Sequence, residues 1–310
     1  MSDVTEIQEP KEVGNEMRGE IRRISSHSRA RRLAVSRMMI ALCAIALLVS
    51  AVPLVMLLYQ LFKQGLPVID KAFFTTLPST PSLIATNATG GVSNAIVGTL
   101  ALTIYASVMA IPVGILVGIY LAETESKLAS SLRVIAQTMA GAPSILMGLF
   151  AFSFVVRDLN VGFSAIAGSF ALAVLMLPVI VISTEIAVRN VPNTLREAGL
   201  ALGAKPHVIS LRVVLPASAS GIVTGTILAV SRAVGETAPV MLVIAGGFTN
   251  SWKPFDPVSA LPLSIYENAK SEWPSLRAQV WGIALVLVVF IFVLSLSARI
   301  WASRKQQVKN

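Results

Sequence analysis

The sequence predicts an all-α, polytopic membrane protein with six transmembrane helices. Three observations predict it: a shortage of charge, six long apolar stretches, and basic residues gathered on one side of them. Of 310 residues, 55% are hydrophobic and 13% charged, against roughly 25% charged in a soluble domain. The mean hydropathy is +0.75. So few charges cannot cover a soluble globule, and the same composition excludes disorder for most of the chain. Cys43 is the single cysteine, which excludes a disulfide-stapled secreted domain.

The elements follow in order. Residues 1–37 form a cytoplasmic tail, polar and acidic at first, then carrying six arginines and no acid from Arg22 to Arg37. This stretch is expected to be disordered or to lie on anionic lipid, where each basic residue contributes about 1 kcal/mol. The tail and the first apolar run are both too long for a signal peptide, so span one is expected to be an uncleaved anchor. Apolar runs of about 18 or more residues read as spans: Met38–Phe62, Asn94–Ala122, Leu132–Val156, Phe163–Val188, Ser220–Gly246 and Val280–Ala302. They make a permease domain over residues 38–302, and residues 303–310 form a short cytoplasmic tail. Spans two to five each contain a proline, Pro112, Pro143, Pro178 and Pro239. Each removes a helix hydrogen bond and is expected to kink its span, as ordinary membrane helices do or around a pathway. Gly114 with Gly118, and Gly221 with Gly225, are small-xxx-small pairs that favour close helix packing.

The charge distribution sets the orientation. Of 25 Lys and Arg, eight lie in residues 1–37, two after span two, four after span four and four from Arg299 onward. The opposite side has two, one and three, and Arg232 lies inside span five. The positive-inside bias puts both termini in the cytoplasm, and the surplus of +9 needs no nucleic acid to explain it. His27 and His207 have no companion ligands, so no metal site is expected. No G-x-x-x-x-G-K-[ST] loop is present, so any nucleotide chemistry belongs to another subunit.

Two segments carry the functional signal. The loop after span four, residues 189–217, has Asn193 or Thr194 as a helix cap, then Leu195, Ala198 and Leu202 on one face. Gly203 suits a helix end, and a second short helical run follows Pro206. Such a helix–turn–helix is either an amphipathic connector on the membrane surface or a docking knob for a cytosolic groove. In span five, Arg232 and Glu236 stand at i and i+4, with Thr237 beside them. A charge at the bilayer centre costs about 2.5–3.5 kcal/mol. The pair is therefore either a self-neutralising lock or an anion gate, with the guanidinium fork matched to an oxyanion.

These segments carry a resemblance. Glu197-Ala198-Gly199, then Gly203, then Leu215-Pro216 resemble the EAA loop of binding-protein-dependent ABC importer permeases. Ser231-Arg232-Ala233-Val234-Gly235-Glu236-Thr237-Ala238-Pro239 resembles the R-A-x-G-E-T-A-P signature of phosphate importer permeases, with the T-A-P ending of the PstA type. Gly90-Gly91 before Asn94–Leu100, Gly114-Ile115 with Tyr120–Glu123, Gly141-Ala142-Pro143-Ser144-Ile145, and Ala260–Leu263 with Ile265-Tyr266 extend the likeness over roughly residues 40–302.

The resemblance implies a MetI-like ABC importer permease architecture in the bacterial inner membrane. It implies a heterodimer with a PstC-like permease, two PstB-like ATPase subunits carrying ATP and Mg, and a PstS-like phosphate-binding protein. No cofactor is expected on this chain, and no bond in phosphate is made or broken by it. Glu197, Ala198, Gly199 and Gly203 become the ATPase-coupling positions, and Arg232, Glu236 and Thr237 line the path of inorganic phosphate.

The chain departs from the family pattern twice. Gly199 stands where Ala is usual, and Ile182 stands where an Arg is usual in a string whose Glu185 is kept. Ile182 leaves room for another oxyanion such as molybdate, sulfate or phosphonate, against which the GETAP string argues. A secondary transporter predicts internal repeats, and none is visible. An intramembrane enzyme predicts a nucleophile–base pair or metal ligands within the spans, and none is evident.

Overall fold

The computed structural model describes residues 10–79 and 90–307. The chain divides into two compact units, residues 1–60 and 61–310. The described part of the first, residues 10–60, lies within helix α1 (Pro10–Gly65), which holds the first expected span and begins well before it. The basic stretch expected to be disordered or laid on lipid is helical from Pro10 onward, while residues 1–9 lie outside the described residues. Along its apolar part Leu47, Leu48 and Val49 are exposed.

Among the described residues of the second unit the regular structure is helical, joined by loops and accompanied by one isolated bridge, Pro78 to Gly90. It contains α2 (Lys71–Thr75), α3 (Ser93–Glu123), α4 (Lys127–Ala140) and α5 (Ser144–Ala151), which runs on as a π-helical turn, Phe152–Asp158. Then come α6 (Ala165–Arg189), α7 (Asn193–Ala201), α8 (Pro206–Ile209), a second π-helical turn (Ser210–Val214), and α9 (Leu215–Val234). The short α10 (Ala238–Met241), α11 (Leu261–Lys270) and the long α12 (Pro274–Gln307) complete it. Of the expected tail 303–310, residues 308–310 lie outside the described residues. Among the described residues five helices are long and apolar enough to cross a membrane, or six if the bent pair α4–α5 counts as one span.

Helix α6 is the axis of this unit. Its buried face (Ala167, Ala171, Met176, Ile180) packs with Leu102, Ala106 and Ala110 of α3 and with Ala229 and Ala233 of α9 in one core. The small-residue pairs sit where α6 is approached from two sides. A Cβ on Gly114 would stand 2.7 Å from Ile180, and one on Gly118 would stand 2.6 Å from Thr184. From the other side, a Cβ on Gly221 would lie 2.7 Å from Ala187, and one on Gly225 only 2.1 Å from the Ser183 hydroxyl. Lipid tails give apolar side chains no reason to cluster, so close backbone approach at small residues supplies the packing energy.

The first turn of α6 is capped. Ala167 N–H donates to Ser164 Oγ, and Ala165 and Ile166 N–H donate to the carbonyls of Asp256 and Pro254 at 3.0 and 2.7 Å. The loop before α11 thus satisfies donors that a helix end leaves free.

Two expected spans differ. The third, Leu132–Val156, is two helices bent by 107°. Ala142 precedes a proline, which disfavours helical backbone there, and Pro143 takes an extended ψ of 133° as the residue that opens α5. The fifth, Ser220–Gly246, is continuously helical only to Val234 and resumes briefly as α10, and its first helix begins earlier, through the π-helical turn at Ser210. Gly235 closes α9, and Pro239 falls in the first turn of α10, where the missing N–H costs nothing. Pro112 and Pro178 do lie inside continuous helices. Pro143 and Pro239 mark breaks rather than kinks.

Candidate functional site

The charge pair of span five exists, but not on one helix face. Helix α9 ends two residues after Arg232, and Gly235 N–H bonds back to the Arg232 carbonyl at 3.1 Å. The turn carries Glu236 back toward the helix, and Arg232 Nε lies 3.3 Å from Glu236 Oε1. Thr237 opens α10, its carbonyl accepting Met241 N–H at 3.0 Å. Half of the Arg232 side chain is exposed, against 19% of Glu236.

The two charges face different neighbours. Glu236 borders a recess lined by Thr99 and Thr103 of α3, Leu172 of α6 and Pro262 of α11. Arg232 borders another, lined by Met139, Ala142 and Met147 at the α4–α5 break and by Leu175 and Val179 of α6. The two broken segments meet there as well: a Cβ on Gly148 of α5 would stand 2.6 Å from Pro239 Cα in α10. The bends expected in spans three and five therefore converge beside one half-exposed guanidinium.

The loop 189–217 is the helix–turn–helix read from the sequence. Pro192, not Asn193 or Thr194, precedes α7, with no side-chain cap. Gly203 takes φ +77°, a backbone that a side chain resists. Ile209 fills the space over Gly199, where a Cβ would meet its Cγ1 at 2.9 Å, so the glycine is matched by a larger residue opposite. Beneath, Val188, Val191, Ile209, Val214 and Ile222 form a small core. Glu197, Ala198 and Gly203 face outward, with Leu200 and Leu202 exposed on the same loop.

A third cluster was not singled out from the sequence. Glu185 of α6 is buried, and its Oε1 accepts Arg133 Nε of α4 at 2.8 Å and faces Arg189 Nε at 3.1 Å. Both arginines also donate to the Leu121 carbonyl near the end of α3, at 3.1 and 3.2 Å. The i, i+4 spacing of Glu185 and Arg189 was the available signal, whereas Arg133 comes from 52 residues away. Ile182 packs on the apolar cluster of Leu121, Ala129 and Leu132 next to these groups.

The chain matches the family described as "Binding-protein-dependent transport system inner membrane component" over residues 110–307. It is 34% identical over 273 residues to the phosphate transport system permease protein PstA of Haemophilus influenzae, covering 87% of this chain and 95% of that protein. It is 35% identical to PstA of Xylella fastidiosa strain Temecula1, covering 89% and 95%. It is 34% identical to PstA 1 of Mycobacterium tuberculosis strain H37Rv, covering 84% and 86%. Among solved structures, an inward-facing MetNI methionine ABC transporter matches with a TM-score of 0.58 at 20% identity, over 68% of this chain and 94% of that one. That likeness speaks for the fold.

Proposed function

The chain belongs to the binding-protein-dependent inner-membrane permeases and, among them, to the PstA phosphate permeases, and from that premise we propose that it forms one half of the phosphate path in an ATP-driven importer. The observation that carries the reading is Arg232. In a chain this poor in charge, a half-exposed guanidinium stands at the end of a broken helix, held among the described residues by one carboxylate contact. A planar fork in that position suits an oxyanion. Glu236 holds it when no anion is bound and repels anions that arrive without a matching geometry.

The exposed side of Arg232 leaves the path to be completed by a PstC-like permease. A PstS-like binding protein delivers phosphate on the outer side, and two PstB-like subunits bind ATP and Mg in the cytosol. The lysine and arginine distribution supports an inner-membrane protein with both termini inside. The transmembrane domain spans residues 38–302, flanked by cytoplasmic tails. Closure of the ATPases moves the loop at Glu197, Ala198, Gly199 and Gly203. The loop is continuous with α6 and, through the π-helical turn, with α9. Rocking α9 carries Arg232 against the α4–α5 break, so access to the anion alternates between the two sides. Pro143 and Pro239 place backbone breaks at the point where this requires movement, and irregular backbone is tolerated in a membrane where it lines a cavity.

The test is uptake of labelled phosphate in vesicles containing the assembled importer. Uptake is expected to require ATP, and uptake that persists without ATP contradicts the reading. Glu197→Lys is expected to keep the chain in the membrane while hydrolysis no longer drives uptake. Coupled turnover in that variant makes the loop a connector only. Excess sulfate or molybdate is expected to leave phosphate uptake unchanged, and strong competition assigns the path to oxyanions in general.

A further inference from the structure

We propose that the end of α3 is a second anchor of the coupling loop, and that Glu123 is the positioning residue that carries loop movement into α3. This rests on the coupling role given above to the 189–217 loop. One carboxylate grips both flanks of that loop. Glu123 Oε1 lies 2.5 Å from Arg196 Nη1, next to Glu197 on α7. Glu123 Oε2 accepts the Ser210 hydroxyl at 2.8 Å, where the π-helical turn leading into α9 begins. Arg196 reaches on to the Val188 carbonyl of α6 at 3.3 Å. About a quarter of each side chain in the pair is exposed, so solvent screens the contact only in part.

The chain itself joins the loop to α6 and α9, and α3 is 73 and 87 residues away from its two partners there. Glu123 therefore gives α3 a direct hold on the loop that the covalent chain does not. Two residues earlier, the Leu121 carbonyl receives Arg133 of α4 and Arg189 of α6. The last turn of α3 thus joins α4, α6, α7 and the π-helical turn that leads into α9. A displaced loop moves α3 together with α6 and α9 as one body. Both Glu123 oxygens are used as acceptors. A glutamine keeps the size but presents an NH2 to one of the two donors, so it loses at least one of the links.

The experiment uses the complete importer in proteoliposomes and reads ATP hydrolysed per phosphate imported. Glu123→Gln is expected to raise that ratio on the order of five- to tenfold at an unchanged amount of assembled complex. Arg196→Gln is expected to do the same, and the double variant to be no worse than either single, because the pair acts as a unit. An unchanged ratio in Glu123→Gln, or a double variant showing the product of the single effects, overturns the proposal. If Glu123→Gln does not assemble, Ser210→Ala removes one hydroxyl and is read identically: a raised ratio supports the anchor, and an unchanged one overturns it. Wild-type uptake without ATP defeats the importer reading itself. Uncoupling by Glu197→Lys with normal coupling in Glu123→Gln defeats only the anchor.

Discussion

Glu185, Glu123 and Glu236 each hold one or two arginines or a hydroxyl, but in different surroundings, and their variants should differ accordingly. Glu185 is buried between two guanidiniums. Glu185→Leu leaves both arginines without their counter-charge, while their partial exposure lets water screen them. The expected loss is about 1–2 kcal/mol, below the 3–5 kcal/mol of a fully buried pair, read as a lower Tm of the purified complex. No change in Tm makes the cluster a surface feature. Arg133→Ala is expected to cost less, since Arg189 still neutralises Glu185.

The residue scale is also where the sequence was least legible. Arg232, Glu236 and Glu197 were visible because charge in an apolar run and a spaced motif are local signals. Glu123–Arg196 and Arg133–Glu185 are contacts between distant segments, and no local pattern records which helix ends meet. Glu236 was expected on the helical face of Arg232, but Gly235 ends the helix, so the pair forms through a turn.

At the scale of elements, hydropathy located the spans because it measures apolar length. It does not measure direction, so the 107° bend between α4 and α5 reads as one continuous span. The residues at the break, Gly141, Ala142 and Pro143, are expected to make a kink; the extended ψ of Pro143 turns the chain further, and α5 then packs against α10. Gly148 is the contact point. Gly148→Val places a branched side chain on the Pro239 backbone, which cannot yield as a side-chain tip can. The expected cost is about 1–3 kcal/mol of overpacking, with reduced uptake. Full stability and full uptake in that variant mean that α5 and α10 do not need this approach. Gly225→Val makes a similar test of α9 on α6, where the Ser183 hydroxyl stands in the way. Reduced assembly is expected, whereas Leu228→Val, on an exposed site of the same helix, should have no effect.

For the whole molecule, a shortage of charge is the organising fact. It gives the chain five helices, or six with the bent pair α4–α5, that are long and apolar enough to cross a membrane, and makes Arg232, beside the convergence of two broken helices, stand out. The proposed topology makes a prediction of its own. A reporter fused after Asn310 is expected to be active only in the cytoplasm, and activity outside reverses the orientation.

The central claim is that phosphate passes Arg232 under ATP drive. The most direct measurement is ATP-dependent uptake of labelled phosphate by the reconstituted importer carrying Arg232→Ala, beside wild type. Loss of one charge-assisted anion contact of about 1.5–3 kcal/mol is expected to lower uptake at limiting phosphate by at least about tenfold, with Arg232→Lys intermediate because it keeps the charge and loses the fork. Uptake by Arg232→Ala equal to wild type, at equal amounts of assembled complex, contradicts the account.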